Sequence, residues 1–122
     1  MNMKRIVTAL VVVTWLCWPG TGALAHAHLD HAIPGVGSTV ATAPRELLLW
    51  FTEKLEPAFS TAEVRNAQGA VVSGKARVDA SDGTALRVPL KALANGTYRV
   101  IWRVLSVDTH RTQGDFTFRV GP

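Results

Sequence analysis

Residues 97–120 constrain the fold of this chain more than any other stretch. In TYRVIWRV, Tyr98, Val100, Trp102 and Val104 share one parity, while Thr97, Arg99 and Arg103 share the other, with Ile101 the single exception. Phe116, Phe118 and Val120 alternate in the same way with Asp115, Thr117 and Arg119, and Leu86, Val88 and Leu90 alternate around Arg87. Successive side chains of an extended chain point to opposite faces, so a period of two places the apolar set in a core and the polar set in water. These segments are therefore half-buried antiparallel strands. Residues 46–51 read as a more fully buried run, with Trp50 and Trp102 assigned to the core and Phe59 placed under a loop. Turn signals separate the strands at Pro34-Gly35-Val36-Gly37, Asn66-Ala67-Gln68-Gly69, Ser81-Asp82-Gly83 and Asn95-Gly96. About seven short strands with regular turns, and no amphipathic helix, predict an all-β domain: a β-sandwich or Greek-key barrel.

The first residues belong to a different kind of segment. Lys4 and Arg5 precede an apolar run over residues 6–18. Pro19, Gly20 and Gly22 then break any helix, and Ala23-Leu24-Ala25 supplies a small-x-small cleavage pattern. This is the signature of a secretory signal peptide, residues 1–25, removed by cleavage. Its apolar part is shorter than the roughly 20 residues a membrane span needs. A cut after Ala25 leaves residues 26–122 as one small domain; Ala25-His26-Ala27 offers a second cut that would leave His28 first. The cut also removes Cys17, Met1 and Met3, which are all the sulfur-bearing residues of the chain. The exported domain then has no disulfide, and its stability rests on packing. Loss of Lys4 and Arg5 lowers the formal net charge from +4 to +2. The remaining basic residues are scattered singly, the pattern of a solvated sheet face and not of a nucleic-acid surface.

Few residues offer chemistry. Of the four histidines, His26, His28 and His31 cluster at the new N-terminus and His110 follows Asp108 in SVDTHRTQG. Residues i and i+2 of a strand share a side, so Asp108 and His110 extend the inward series beyond Val104 and Ser106 and can approach one metal ion together. The same spacing also suits an Asp–His hydrogen bond that merely orders a loop. An N-terminal His26 carries two ligands, its α-amine and the ring nitrogen nearest the backbone, which close a six-membered chelate. With His110 and Asp108 the set is three nitrogens and one oxygen without sulfur, which suits tetragonal Cu(II) better than Cu(I). His28 gives a rival mode, in which the amine, two deprotonated amides and its imidazole form a square of four nitrogens. His31 reads as a structural or surface histidine, and Glu53 as a solvated loop carboxylate.

Three stretches, HAHLDHAIPGVGSTV, LLLWFTEKLEPAFS and LANGTYRVIWRVLSVDTHRTQGDFTFRV, together resemble the CopC family of exported copper-binding proteins, including its YobA-type members. The resemblance covers essentially the whole mature chain. It rests above all on the post-cleavage His, the Gly-Thr-Tyr-x-Val-x-Trp strand, and Asp-x-His-x-x-x-Gly ending at Gly114. It implies an Ig-like or cupredoxin-like Greek-key domain that holds one Cu(II) per chain in the periplasm through His26, Asp108 and His110. It further implies a monomeric carrier or buffer in copper homeostasis or resistance, exchanging copper with a CopD-type inner-membrane transporter and not itself anchored in the membrane after cleavage. The chain departs from the methionine-rich members, having no methionine after residue 3, and Thr109 stands where a glycine is often found, a change expected to matter little.

Two other readings compete. An N-terminal His with a second His also describes the histidine brace of copper oxygenases. An Asp ligand would fill a position that O₂ activation needs open, and the domain is small for a polymeric substrate. The other is a non-metal Ig-like interaction domain with His26 incidental. No nucleophile elbow, phosphate loop or Cys–His arrangement is present, so no enzyme is expected.

Overall fold

A computed structural model describes residues 27–122. The strands are β1 (Leu29–Ile33), β2 (Thr39–Val40), β3 (Glu46–Phe51), β4 (Thr61–Arg65), β5 (Arg77–Val78), β6 (Ala85–Pro89), β7 (Gly96–Leu105) and β8 (Arg111–Val120), with one 3₁₀ turn at Pro57–Phe59. They form two four-stranded sheets, β1-β3-β6-β5 and β2-β8-β7-β4. The expected all-β sandwich is thus present. Most consecutive strands lie in opposite sheets, so the chain repeatedly crosses the core. Pairing is antiparallel except for the short β2, which runs parallel to the end of β8.

The parity rule holds on the long strands. Tyr98, Val100, Trp102, Val104, Phe116, Phe118 and Val120 are all buried. With Leu47, Leu49, Val64, Leu86 and Val88 they form one continuous core. Burying each such side chain contributes about 1.5–3 kcal/mol. The Tyr98 hydroxyl donates to the Ala94 carbonyl at 2.5 Å, which satisfies its polar end inside the sandwich. Trp102 stands opposite Gly114 in the β7–β8 register. A Cβ on Gly114 would lie 2.5 Å from the indole, so only glycine leaves room for that ring. The glycine that ends the Asp-x-His-x-x-x-Gly pattern is therefore a packing requirement of the core tryptophan.

Two placements differ from expectation. β3 is not buried on both faces: Leu47, Leu49 and Phe51 point inward, while Leu48 and Trp50 are half-buried on the outer face. Trp50 is not a core residue; its ring stacks on His31 of β1 with centroids 4.4 Å apart and an interplanar angle of 7°. Phe59 is not covered by a loop but is 61% exposed on the 3₁₀ turn.

Three segments meet at one end of the sandwich. The bridge between Leu55 and Ser106, with hydrogen bonds from Glu56 N–H to the Leu105 carbonyl and from Val107 N–H to the Lys54 carbonyl, ties the segment after β3 to the end of β7. Residues 27 and 28 enter the fold at the same end.

Candidate metal centre

β7 stops at Leu105, so Asp108 and His110 do not lie on an extended strand, and strand parity is not what brings them together. Residues 106–110 instead form the tight tip of the β7–β8 hairpin. Its neck is closed by bonds from Ser106 N–H to the His110 carbonyl at 3.0 Å and from Thr109 N–H to the Ser106 carbonyl at 2.9 Å. The return requires a left-handed residue, and Thr109 takes it with φ of 73°. A β-branched side chain is strained there and a glycine is not. The Thr109 substitution, expected to be of little consequence, therefore carries a conformational cost.

The curled tip brings His110 Nδ1 to 3.3 Å from Asp108 Oδ1, with the two side chains 33% and 40% exposed. Both side chains are partly open to solvent, while His110 Nδ1 itself is buried against the tip. Beneath them Ser106 is fully buried. Its hydroxyl donates to Asp108 Oδ1 and accepts the His110 N–H at 3.3 Å. This serine bond, followed by His110, holds the Asp108 carboxyl below the usual carboxylate range, against the opposing effect of desolvation. An ionised carboxylate and an imidazole are thus presented side by side, the hard oxygen and borderline nitrogen donors that divalent transition metals take.

The N-terminal arm arrives beside this pair. Ala27 is fully buried, and its carbonyl accepts the Thr112 hydroxyl at 2.6 Å. Thr112 lies two residues beyond His110. One residue on, His28 N–H donates to Thr52 Oγ1 at 3.0 Å and Thr52 N–H returns a bond to the His28 carbonyl at 2.9 Å. Two threonines therefore pin residues 27 and 28, one of them on β8 two residues past His110 and the other just after β3.

Of the residues singled out in the sequence, Asp108 and His110 are brought together. His26 and the segment expected to be a signal peptide, residues 1–25, lie outside the described residues. The His28 side chain is exposed at the arm's entry. His31 is held on the outer face of the other sheet, with Nδ1 2.7 Å from Asp30 Oδ2. Glu53 is half-buried in the bend after β3. Among the described residues no third His, Cys, Asp or Glu completes a metal-holding group. Ser106 was legible only as part of the polar inward series, and Thr112 gave no signal beyond its parity with His110.

A family model for the CopC domain matches residues 29–121. Protein YobA of Escherichia coli K12 is 40% identical over 98 residues, covering 79% of this chain and 79% of that protein. Copper resistance protein C of Xanthomonas campestris pv. juglandis is 35% identical over 123 residues, covering 95% and 96%. The crystal structure of CopC from Methylosinus trichosporium OB3b superposes with a TM-score of 0.75 at 34% identity, over 80% of this chain and 95% of that one.

Proposed function

The chain belongs to the CopC family, whose members carry copper resistance and copper transport names, and from that premise we propose that it is a periplasmic Cu(II)-binding carrier or buffer. The observation that carries this reading is the bond from Thr112, two residues past His110, to the carbonyl of Ala27, which draws the chain's entry toward the Asp108–His110 pair. Cleavage after Ala25 makes His26 residue one, immediately ahead of a residue anchored beside His110. Its amine and ring then join His110 and Asp108 around one copper ion per chain. Burial of Ala27 favours that cut over the one after Ala27, which would remove a fully buried residue from the core.

The donor chemistry supports Cu(II). Residues 26–122 contain no cysteine or methionine, so the soft ligands that select Cu(I) are missing and nitrogen and oxygen remain. The rival four-nitrogen mode at His28 would need the His28 amide deprotonated. That amide is committed to Thr52, so this mode would have to dismantle the start of β1. Asp108 fills a coordination position that oxygen activation would leave open, which favours carriage over catalysis. In this reading the domain acts as a monomer, serves copper homeostasis or resistance, and exchanges the ion with a CopD-type inner-membrane transporter. Binding releases protons from the amine and imidazoles, so affinity rises with pH.

The test is Cu(II) affinity of the mature protein, measured by competition with a chromophoric chelator. His110→Ala should weaken binding by more than the roughly 100-fold that loss of an outer hydrogen-bond partner causes. One extra residue ahead of His26 should be equally damaging, because it separates the amine from the ring. Wild-type affinity in the first variant moves the site to His28, and wild-type affinity in the second removes the N-terminal chelate. Mass analysis of the exported protein's N-terminus fixes residue one.

A further inference from the structure

We propose that Ser106 is the positioning residue of this centre, its one buried hydroxyl fixing both the Asp108 carboxylate and the backbone of His110 so that a single oxygen, Asp108 Oδ2, is offered to the metal. The inference rests on the reading of Asp108 and His110 as ligands. A fully buried hydroxyl is costly unless its bonds are made. Ser106 continues the inward series after Val104 and is fully buried at its polar end. Its proton goes to Asp108 Oδ1, and its oxygen accepts the His110 N–H. His110 Nδ1 lies against the same Oδ1. That oxygen is therefore engaged from two sides, by the Ser106 hydroxyl and the His110 ring, and neither of these side-chain contacts uses Oδ2. A carboxylate gripping the ion through both oxygens would have to give up the serine bond. Ser106 thus sets Asp108 as a one-oxygen ligand and fixes its distance from His110 before any ion arrives.

A second buried serine at the same end provides the contrast. Ser60 is 5% exposed, and its hydroxyl bridges the Leu105 N–H and carbonyl at 3.2 and 3.3 Å. It ties the start of β4 to the end of β7, and its two hydrogen bonds among the described residues both go to Leu105. Removing either hydroxyl disturbs the same corner of the fold, yet it is the Ser106 hydroxyl that bonds Asp108 and His110, while the Ser60 hydroxyl bonds Leu105.

The experiment compares Ser106→Ala with Ser60→Ala in the mature protein, using Cu(II) alone as the probe. Both variants should lower the unfolding midpoint of the metal-free protein. Only Ser106→Ala should weaken Cu(II) binding, by about 10–100-fold. It should also shift the copper hyperfine coupling in the electron paramagnetic resonance spectrum while the number of coordinated nitrogens stays unchanged. A Ser106→Ala protein with wild-type affinity and spectrum overturns the proposal, as does a Ser60→Ala protein that shows the same losses. If His110→Ala loses copper while Ser106→Ala behaves like Ser60→Ala, the positioning role fails and the ligand reading stands. If His110→Ala binds normally, the ligand reading itself fails. Should Ser106→Ala not fold, nuclear magnetic resonance of the unaltered metal-free protein decides. A slowly exchanging Ser106 hydroxyl proton in contact with Asp108 is the expected result, and rapid exchange overturns the assignment.

Discussion

The two ends of the β7–β8 hairpin are built from one pattern and do different things. At the closed end Tyr98 and Phe118 face each other across the register and their rings stack with centroids 5.6 Å apart. At the open end the same inward parity carries Ser106, His110 and Thr112, and the backbone abandons the strand to curl back on itself. Apolar side chains at one end need only fill space. Polar ones at the other need partners, and supplying them bends the chain. The difference teaches that the sandwich is a scaffold whose interior turns into a cluster of polar donors, the candidate site, where its packing runs out.

If the two ends are separable, damage at the closed end should cost stability and leave metal binding intact. Phe118→Ala should destabilise the domain by about 3–5 kcal/mol in denaturant unfolding, with unchanged Cu(II) affinity per folded molecule. A loss of affinity beyond the unfolded fraction would show the ends to be coupled.

Acid probes the open end. Asp108 is held below the usual carboxylate range in the folded protein, so it binds a proton less readily there than in the unfolded chain. Its contribution to stability is present above the unfolded-state value and is lost as pH falls through the folded one. The metal-free wild type should therefore lose stability across that acid window more steeply than Asp108→Asn. Parallel acid limbs in the two proteins would place the Ser106–Asp108 bond elsewhere.

The smallest effect belongs to Thr109. Glycine in its place relieves a left-handed backbone that costs a side chain roughly 1–2 kcal/mol, partly offset by the greater freedom of glycine in the unfolded chain. Thr109→Gly should raise the unfolding midpoint by a few degrees at most and leave copper affinity near wild type. A fall in stability would mean that the threonine hydroxyl, which donates to the Asp108 carbonyl at 2.6 Å, outweighs the strain.

Much of the fold was legible because period-two alternation is a local signal, and β7 and β8 keep it for most of their length. The outward Trp50 was misread because its water-facing side is covered by His31 from a neighbouring strand; an apolar run does not say whether a ring is buried by the core or by a partner outside it. The parallel seat of β2 on β8 depends on residues far apart in sequence and left no trace. In the candidate site, Asp108 and His110 were paired for an incomplete reason. Their spacing was visible, but the turn that joins them was not, since a threonine rarely announces a left-handed backbone. Ser106 showed as polar and inward, yet its task lies in which atoms it touches, and that is settled only when the tip has closed.

The burial of Ala27 also orders events in time. A peptidase acting at the Ala25–His26 bond must hold the residues on both sides extended in its own cleft, and Ala27 cannot be there while its carbonyl is bound to Thr112. If cleavage falls there as proposed, processing and completion of the domain are consecutive steps, a sequence that protease challenge of refolded precursor reads directly. A precursor that folds first would hold Ala27, the second residue past the proposed cut, away from the peptidase.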